Sequence, residues 1–441
     1  MNPRPPAPPS PEDVGRRALR RITRRIIPYL FVLYIIAFLD RVNVSYAALE
    51  MTADLGFSPE VFGFGAGIFF VGYFLLEIPG AILVERWSAR KWIARILITW
   101  GIATIVIGFV NTARQFYAAR FFLGMAEAGF FPGMIVYLTH WFRAEDRAKA
   151  VALFMSAIPV SNILGAPISG LILGINWLGV EGWRWIFILE GLPAVLFGFV
   201  TLYYLTDRPH QAAWLPDDEK AWIIGELERE KREKESRQHL SILQALRSKP
   251  VLLLALTYFL AVTGSYGIGI WFPTMLKQLS GMSNLKVSVT AAVPYVFMLL
   301  AMLFVGWSSD RRRERRWHTA IPMFIAGTML GLSVVLRSNP LAAMIVLIIA
   351  MACMWTFAPT FWALPTSILS QAAAAASIGF INSIGNLGGF AGPYVLGFFE
   401  KRTGSTATGL SCIVVALILG GCVVLRLHPQ TGNVQKSESS S

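Results

Sequence analysis

The chain has 441 residues, 55% of them hydrophobic and only 15% charged, where soluble domains carry roughly a quarter charged. That balance points to a bilayer as solvent and excludes a water-soluble core as the main architecture. The formal net charge of +13 is spread over short segments between apolar runs, a pattern that orients membrane proteins, so no nucleic-acid partner is expected.

Residues 1–26 are Pro-rich and then Arg-rich, which predicts a cytoplasmic tail leading into a basic juxtamembrane helix. The apolar run behind it is too long for a signal peptide and has no small-residue cleavage site. Runs at 27–48, 61–84, 92–111, 116–139, 148–174 and 183–205 each approach the roughly 20 residues of a spanning helix. A polar linker, 206–249, follows, with a charged helix expected to begin near Asp217. Six further runs lie at 250–275, 287–308, 318–336, 341–364, 375–399 and 406–427, and a disordered polar tail is expected at 428–441. The expectation is an all-α membrane protein of twelve transmembrane helices in two six-helix bundles, 27–205 and 250–427. Cys353, Cys412 and Cys422 all fall in apolar runs with no C-x-x-C pair, so no disulfide, metal or cofactor site is indicated.

Lys and Arg collect on the side shared by the N-terminus, "ERWSARK", "RAEDRAK", the linker and "DRRRERR". The loops "EMTADLGFSPE" and "NWLGVEG" on the other side carry acids and no Lys or Arg; "KQLSGMSNLK" is the one dissenter. Both termini are therefore expected in the cytoplasm. The halves also repeat. "GAILVERWSARK" (80–91) and "GWSSDRRRERR" (306–316) each run Gly, short gap, acid, Arg, basic cluster, at equivalent positions. Glu85, Arg86 and Arg90, with Asp310 and Arg311, read as a latch of charge-assisted hydrogen bonds, made in one conformation and broken in another. The same residues also read as plain topology-setting charge.

These features resemble the major facilitator superfamily, whose paired loops follow G-x-x-x-D-R-x-G-R-R/K. The first copy departs from that pattern: Glu85 replaces Asp and "WSAR" replaces the inner Gly. The departures, with "FLDRVNVSYAAL", "RFFLGMAEAGFFPG", "GWRWIFILEGLPA", "FWALPTSIL" and "INSIGNLGGFAGPYVLG", resemble the anion–cation symporter branch and its bacterial tartrate- and phthalate-type carboxylate permeases. The resemblance spans roughly residues 20–428. It implies uptake of a small organic carboxylate with protons or sodium through the inner membrane, by alternating access, with proton coupling the leading expectation. It also implies that acid and Arg positions in the first and fourth spans handle protons and substrate, which carries onto Asp40, Arg41, Arg120 and Glu127.

The physical case for those four is independent. A central Asp or Arg costs about 2.5–3.5 kcal/mol on insertion scales while a Leu or Ile returns about half a kcal/mol, so such charges must border a polar interior. Arg41 offers a planar donor fork suited to a carboxylate, Asn43 adds a hydrogen bond, and Asp40 either steadies neighbours or carries a proton. Seven residues place Arg120 and Glu127 on one helix face, about 10 Å apart. Gly124, Ala126, Ala128 and Gly129 surround Glu127 and permit close packing, and a carboxyl in so apolar a setting is the candidate proton-coupling group. The competing reading is a structural ion pair, such as Asp40 with Arg120. Glu77 and Glu190 are expected to serve packing.

The second half has no charge at the centre of its spans, so shape and hydroxyl recognition are assigned to Thr360, Trp362, Asn382 and Asn386, with Tyr73 from the second span. Gly388 and Gly389 allow a bend beside Asn386. His140 reads as interfacial, and Trp87, Trp141, Trp183 and Trp185 as interface anchors. Sodium-coupled or exchange transport, and a non-transporting anion sensor, stay open as alternatives. No nucleophile–base pair, His cluster or phosphate loop suggests an enzyme, and a monomer suffices.

Overall fold

The structure, a computed structural model, describes residues 10–235, 246–368 and 371–427. The predicted tail 428–441 and the side chains of Glu85 and Arg86 lie outside the described residues. Among the described residues every regular element is helical. The first half comprises α1 (Pro11–Asp54), α2 (Pro59–Arg86), α3 (Ala89–Ile107), α4 (Ala113–Glu127), α5 (Phe130–Thr139), α6 (Ala144–Met155), α7 (Ala157–Leu173) and α8 (Gly182–Tyr204). The linker holds α9 (Asp217–Glu235). The second half comprises α10 (Lys249–Ser280), α11 (Asn284–Arg312), α12 (Arg316–Val335), α13 (Pro340–Cys353), α14 (Ala358–Ile368), α15 (Gln371–Asn386), α16 (Gly388–Thr403) and α17 (Thr406–Leu425).

Local chemistry sets the ends. Ser10 and Ser58 cap α1 and α2 by accepting from the backbone N–H of Asp13 and Val61, each followed by a proline at the first helical position. The basic segment and the first span thus form one helix of 44 residues. Among the described residues ten helical stretches, counting broken ones as continuous, are long and apolar enough to cross a membrane. The third and eleventh expected spans are not among them. The third, α3, carries Arg90, Lys91 and Arg95, and the eleventh, α15–α16, ends on Lys401 and Arg402.

Four expected spans are interrupted, the fourth, fifth, tenth and eleventh, which are equivalent pairs in the two halves. The fourth breaks at Ala128–Gly129, the fifth at Ser156, the tenth at Met354–Phe357 and the eleventh at Leu387. Broken helices at the same places in two repeats mark where a transporter builds its central site.

The halves meet along α2–α16, α7–α11 and α1–α10. One end of this seam, beside the acidic loops, is shut. Lys401 pairs with Glu60 at 2.6 Å and Asn284 Nδ2 donates to Glu50 at 2.6 Å across it, and within the second half the Trp271 indole donates to the Pro393 carbonyl at 3.2 Å. A Cβ at Gly63 would sit 2.4 Å from the same Pro393 oxygen, so α2 and α16 touch backbone to backbone.

The opposite, basic end is built differently. There α9 docks on the first half, through Arg17–Asp218 and Arg21–Glu219 at 2.9 Å and Arg147–Glu230 at 3.1 Å. Of the expected latch, only Arg90, Asp310 and Arg311 have described side chains. Asp310 pairs with Arg315 of its own loop at 2.5 Å, Arg311 lies over the Trp307 ring at 5.5 Å, and the Arg90 N–H donates to Asp207 at 2.8 Å. These three contacts each stay within one half. Two of the four tryptophans are not interface anchors either. Trp141 and Trp183 are fully buried, the first stacked on Trp214 at 5.3 Å and the second donating to Asp54 at 3.0 Å.

Candidate functional site

Glu127 is the last residue of α4. The chain then turns through an extended Ala128 (ψ 137°) and a left-handed Gly129 (φ 84°) before α5 begins. A side chain at Gly129 would be strained in that conformation, so the turn that ends the helix on Glu127 depends on glycine. One turn earlier, a Cβ at Gly124 would fall 1.9 Å from the Phe69 carbonyl oxygen. The small residues around Glu127 thus bring α4 against α2, and the carboxyl faces α1.

There it meets Arg41. Arg41 Nη2 donates to Glu127 Oε1, and Nη1 donates to the Tyr266 hydroxyl at 3.3 Å. The guanidinium lies over the rings of Phe38, Tyr73 and Phe69, at 5.2, 5.3 and 5.7 Å. Arg41 therefore bridges the halves, with Glu127 from one and Tyr266 from the other. Its Nε and Glu127 Oε2 are buried and have no hydrogen-bond partner among the described residues. The pair has spare valences on both sides, one donor and one acceptor.

Arg41 lines a central cavity with Tyr73, Tyr258, Trp355, Asn382 and Asn386. Its free space is about 50 Å³, room for roughly three or four waters. Phe131, Met155, Trp362 and Asn382 also border a second cavity, of about 480 Å³, that runs toward the basic end past Ile82 and Val151. The passage is thus open at one end and shut at the other. All four helix breaks lie at its wall, next to Phe131, Met155, Trp355 and Asn386.

The fold brings together Arg41, Glu127, Tyr73, Trp362, Asn382 and Asn386 from the expected set. It sends others elsewhere. Asp40 and Asn43 face the inside of the first half, where Asp40 accepts from the Trp100 indole and from Asn43 Nδ2 at 3.1 Å. Consecutive helical positions diverge by about 100°, so Arg41 faces the cavity while Asp40 is turned toward α3. Arg120 is also buried, donating to the Ala66 carbonyl at 3.1 Å beneath the Phe69 ring. It pairs neither with Asp40 nor with the cavity, because this face of α4 packs directly on α2. Thr360 accepts from Thr319 at 3.0 Å inside the second half. Asn43, Arg120 and Thr360, expected at the substrate, thus lie away from the cavity wall in this structure. Glu190 accepts from Ser169 at 2.6 Å, a packing contact as expected.

Glu77 corrects the reading in the other direction. It is 3% exposed and accepts from Asn382 Nδ2 and, at 2.9 Å, from the Ser383 hydroxyl, both on α15 across the seam. It also borders the larger cavity. Its partners lie 305 and 306 residues away, beyond any local pattern; the available signal was the cost of leaving an acid unpaired in "YFLLEIPG". His140, just past α5, is held well below the usual histidine range, to about 4, mainly by burial.

The Major Facilitator Superfamily profile matches residues 30–393. An Agrobacterium vitis protein named "Putative tartrate transporter" is 46% identical, over 95% of this chain and 97% of its own length. An Acinetobacter baumannii protein named "Quinolone resistance transporter" is 36% identical, over 96% and 99%. Among solved structures, a bacterial homologue of the human lysosomal transporter Spinster, inward-facing and unoccupied, aligns with a TM-score of 0.76. That match is at 18% identity and covers 91% of this chain and 96% of the other, so it speaks to the fold. The chain belongs to the Major Facilitator Superfamily of membrane transporters.

Proposed function

We propose that the protein carries an organic carboxylate across the membrane together with a proton, by alternating access, as a monomer with its basic end in the cytoplasm. The observation that carries this reading is the Arg41–Glu127 pair on the wall of a cavity between the two halves. With Glu127 ionised, Arg41 is neutralised and offers an incoming anion little. When Glu127 takes up a proton, its hold on Arg41 weakens and the guanidinium turns its charge to the substrate carboxylate. Proton and anion then favour each other's binding, which is what symport requires. The name of the Agrobacterium relative supports an organic acid as the cargo.

The test is a pair of assays in proteoliposomes. Glu127→Gln is expected to lose accumulation driven by a pH gradient and to keep exchange of labelled for unlabelled substrate. If the variant still concentrates substrate, Glu127 is not the coupling group. Varying sodium at fixed pH during uptake by the unmodified protein separates proton from sodium coupling.

A further inference from the structure

Arg41 is the one cationic side chain bordering either cavity among the described residues. The walls around it are rings, with Tyr73, Tyr258, Trp355 and Trp362 at the central cavity and Phe131 at its junction with the larger one. The polar groups among them, the Tyr73 and Tyr258 hydroxyls with Asn382 and Asn386, are all neutral. A cargo carboxylate other than the one on Arg41 would have to be buried without a cation, which is costly.

The larger cavity adds an acid to this picture. Along its wall Ile78, Ile82, Ile135, Val136 and Ile378 are all apolar, and Glu77 is its only charged group among the described residues. Both carboxyl oxygens of Glu77 are engaged, one by Asn382 Nδ2 and one by the Ser383 hydroxyl. Asn382 borders both cavities, so Glu77 stands one hydrogen bond from the central one. An anion held on Arg41 and extending toward the basic end would present its far end to Glu77.

We propose that Glu77 is a charge filter that restricts the cargo to monocarboxylates with a flat apolar body, and rejects those with a second carboxylate at the far end. The carboxylate sits on Arg41, the body lies among Tyr73, Trp355 and Trp362, and Glu77 repels a second negative charge. This rests on the reading that Arg41 binds the cargo carboxylate.

The experiment uses the full-length protein and three probes, benzoate, terephthalate and tartrate, as competitors in binding and counterflow. Benzoate and terephthalate share a ring and differ in the far carboxylate. Benzoate is expected to bind at least tenfold more tightly than terephthalate or tartrate. Glu77→Gln keeps a carbonyl acceptor for Asn382, offers an N–H to the Ser383 hydroxyl and carries no charge, and is expected to narrow the benzoate–terephthalate ratio severalfold. Equal or tighter binding of terephthalate or tartrate by the unmodified protein, or an unchanged ratio in Glu77→Gln, overturns the filter. If no carboxylate binds, or if Arg41→Gln leaves benzoate binding intact, the carboxylate-transporter reading itself fails and the filter with it. A tartrate preference that depends on Arg41 overturns the filter alone.

Discussion

Replacing Arg41 with lysine keeps the charge and removes the fork. In the structure Nη2 and Nη1 hold separate partners on separate halves, Glu127 and Tyr266, while Nε is free on the edge it shares with Nη2. That edge is the one a carboxylate would grip through two parallel bonds once Glu127 lets go. A lysine ammonium supplies one point contact there and cannot also reach Tyr266. The loss is one charge-assisted hydrogen bond, about 1.5–3 kcal/mol, equivalent to a fall in substrate affinity of about tenfold to 150-fold. Counterflow in proteoliposomes reads it as a raised KM, and ligand-dependent thermal stabilisation of the purified protein reads it as a weaker Kd. A KM within twofold of the unmodified value would mean that the fork does not hold the anion, and the site would have to be sought elsewhere.

Other expectations follow from the same geometry. Thr360→Val removes the bond from Thr319 and should cost about 1 kcal/mol of stability, with KM unchanged because Thr360 does not border the cavity. Gly129→Ala forces a left-handed residue costing about 1–2 kcal/mol; it should lower the melting temperature and weaken substrate binding together, since the turn aims Glu127. With Cys353, Cys412 and Cys422 replaced by serine, a cysteine at Ile378 should react with a membrane-impermeant thiol reagent added on the basic side and be spared from the other. His140 is neutral above its depressed value of about 4, so His140→Gln should leave the pH profile of transport unchanged between roughly pH 5 and 8, which proton-driven uptake assays can check.

Much of this architecture was legible because the bilayer makes charge expensive. Asp40, Arg41, Arg120 and Glu127 stood out as candidates for that reason, and two of them do face each other at the cavity wall. The sequence could not say which charges would meet. Seven residues along α4 put Arg120 and Glu127 in register, yet Arg120 is absorbed by a backbone carbonyl of α2 while Glu127 reaches α1. The partners of Glu77 and Arg41 come from the opposite half, at separations of 225 residues or more for Tyr266, Asn382 and Ser383. Periodicity carries no information over such distances. The helix breaks were legible only in part. The glycines beside Asn386 announced one, and Gly129 was noticed for its size rather than for the left-handed turn it makes. A buried hydroxyl such as that of Thr360 looks the same in an apolar helix whether it faces a substrate or, as here, a neighbouring threonine.

The account turns on one exchange, in which Arg41 releases Glu127 and takes the substrate carboxylate while Glu127 gains a proton. Proton uptake on binding measures that exchange directly, with purified protein in weakly buffered solution near neutral pH and a pH indicator present. Saturating benzoate should draw close to one proton per protein molecule from the solvent, and Glu127→Gln should bind the same anion with none. Binding without proton uptake by the unmodified protein, or uptake that persists in the variant, would contradict the account.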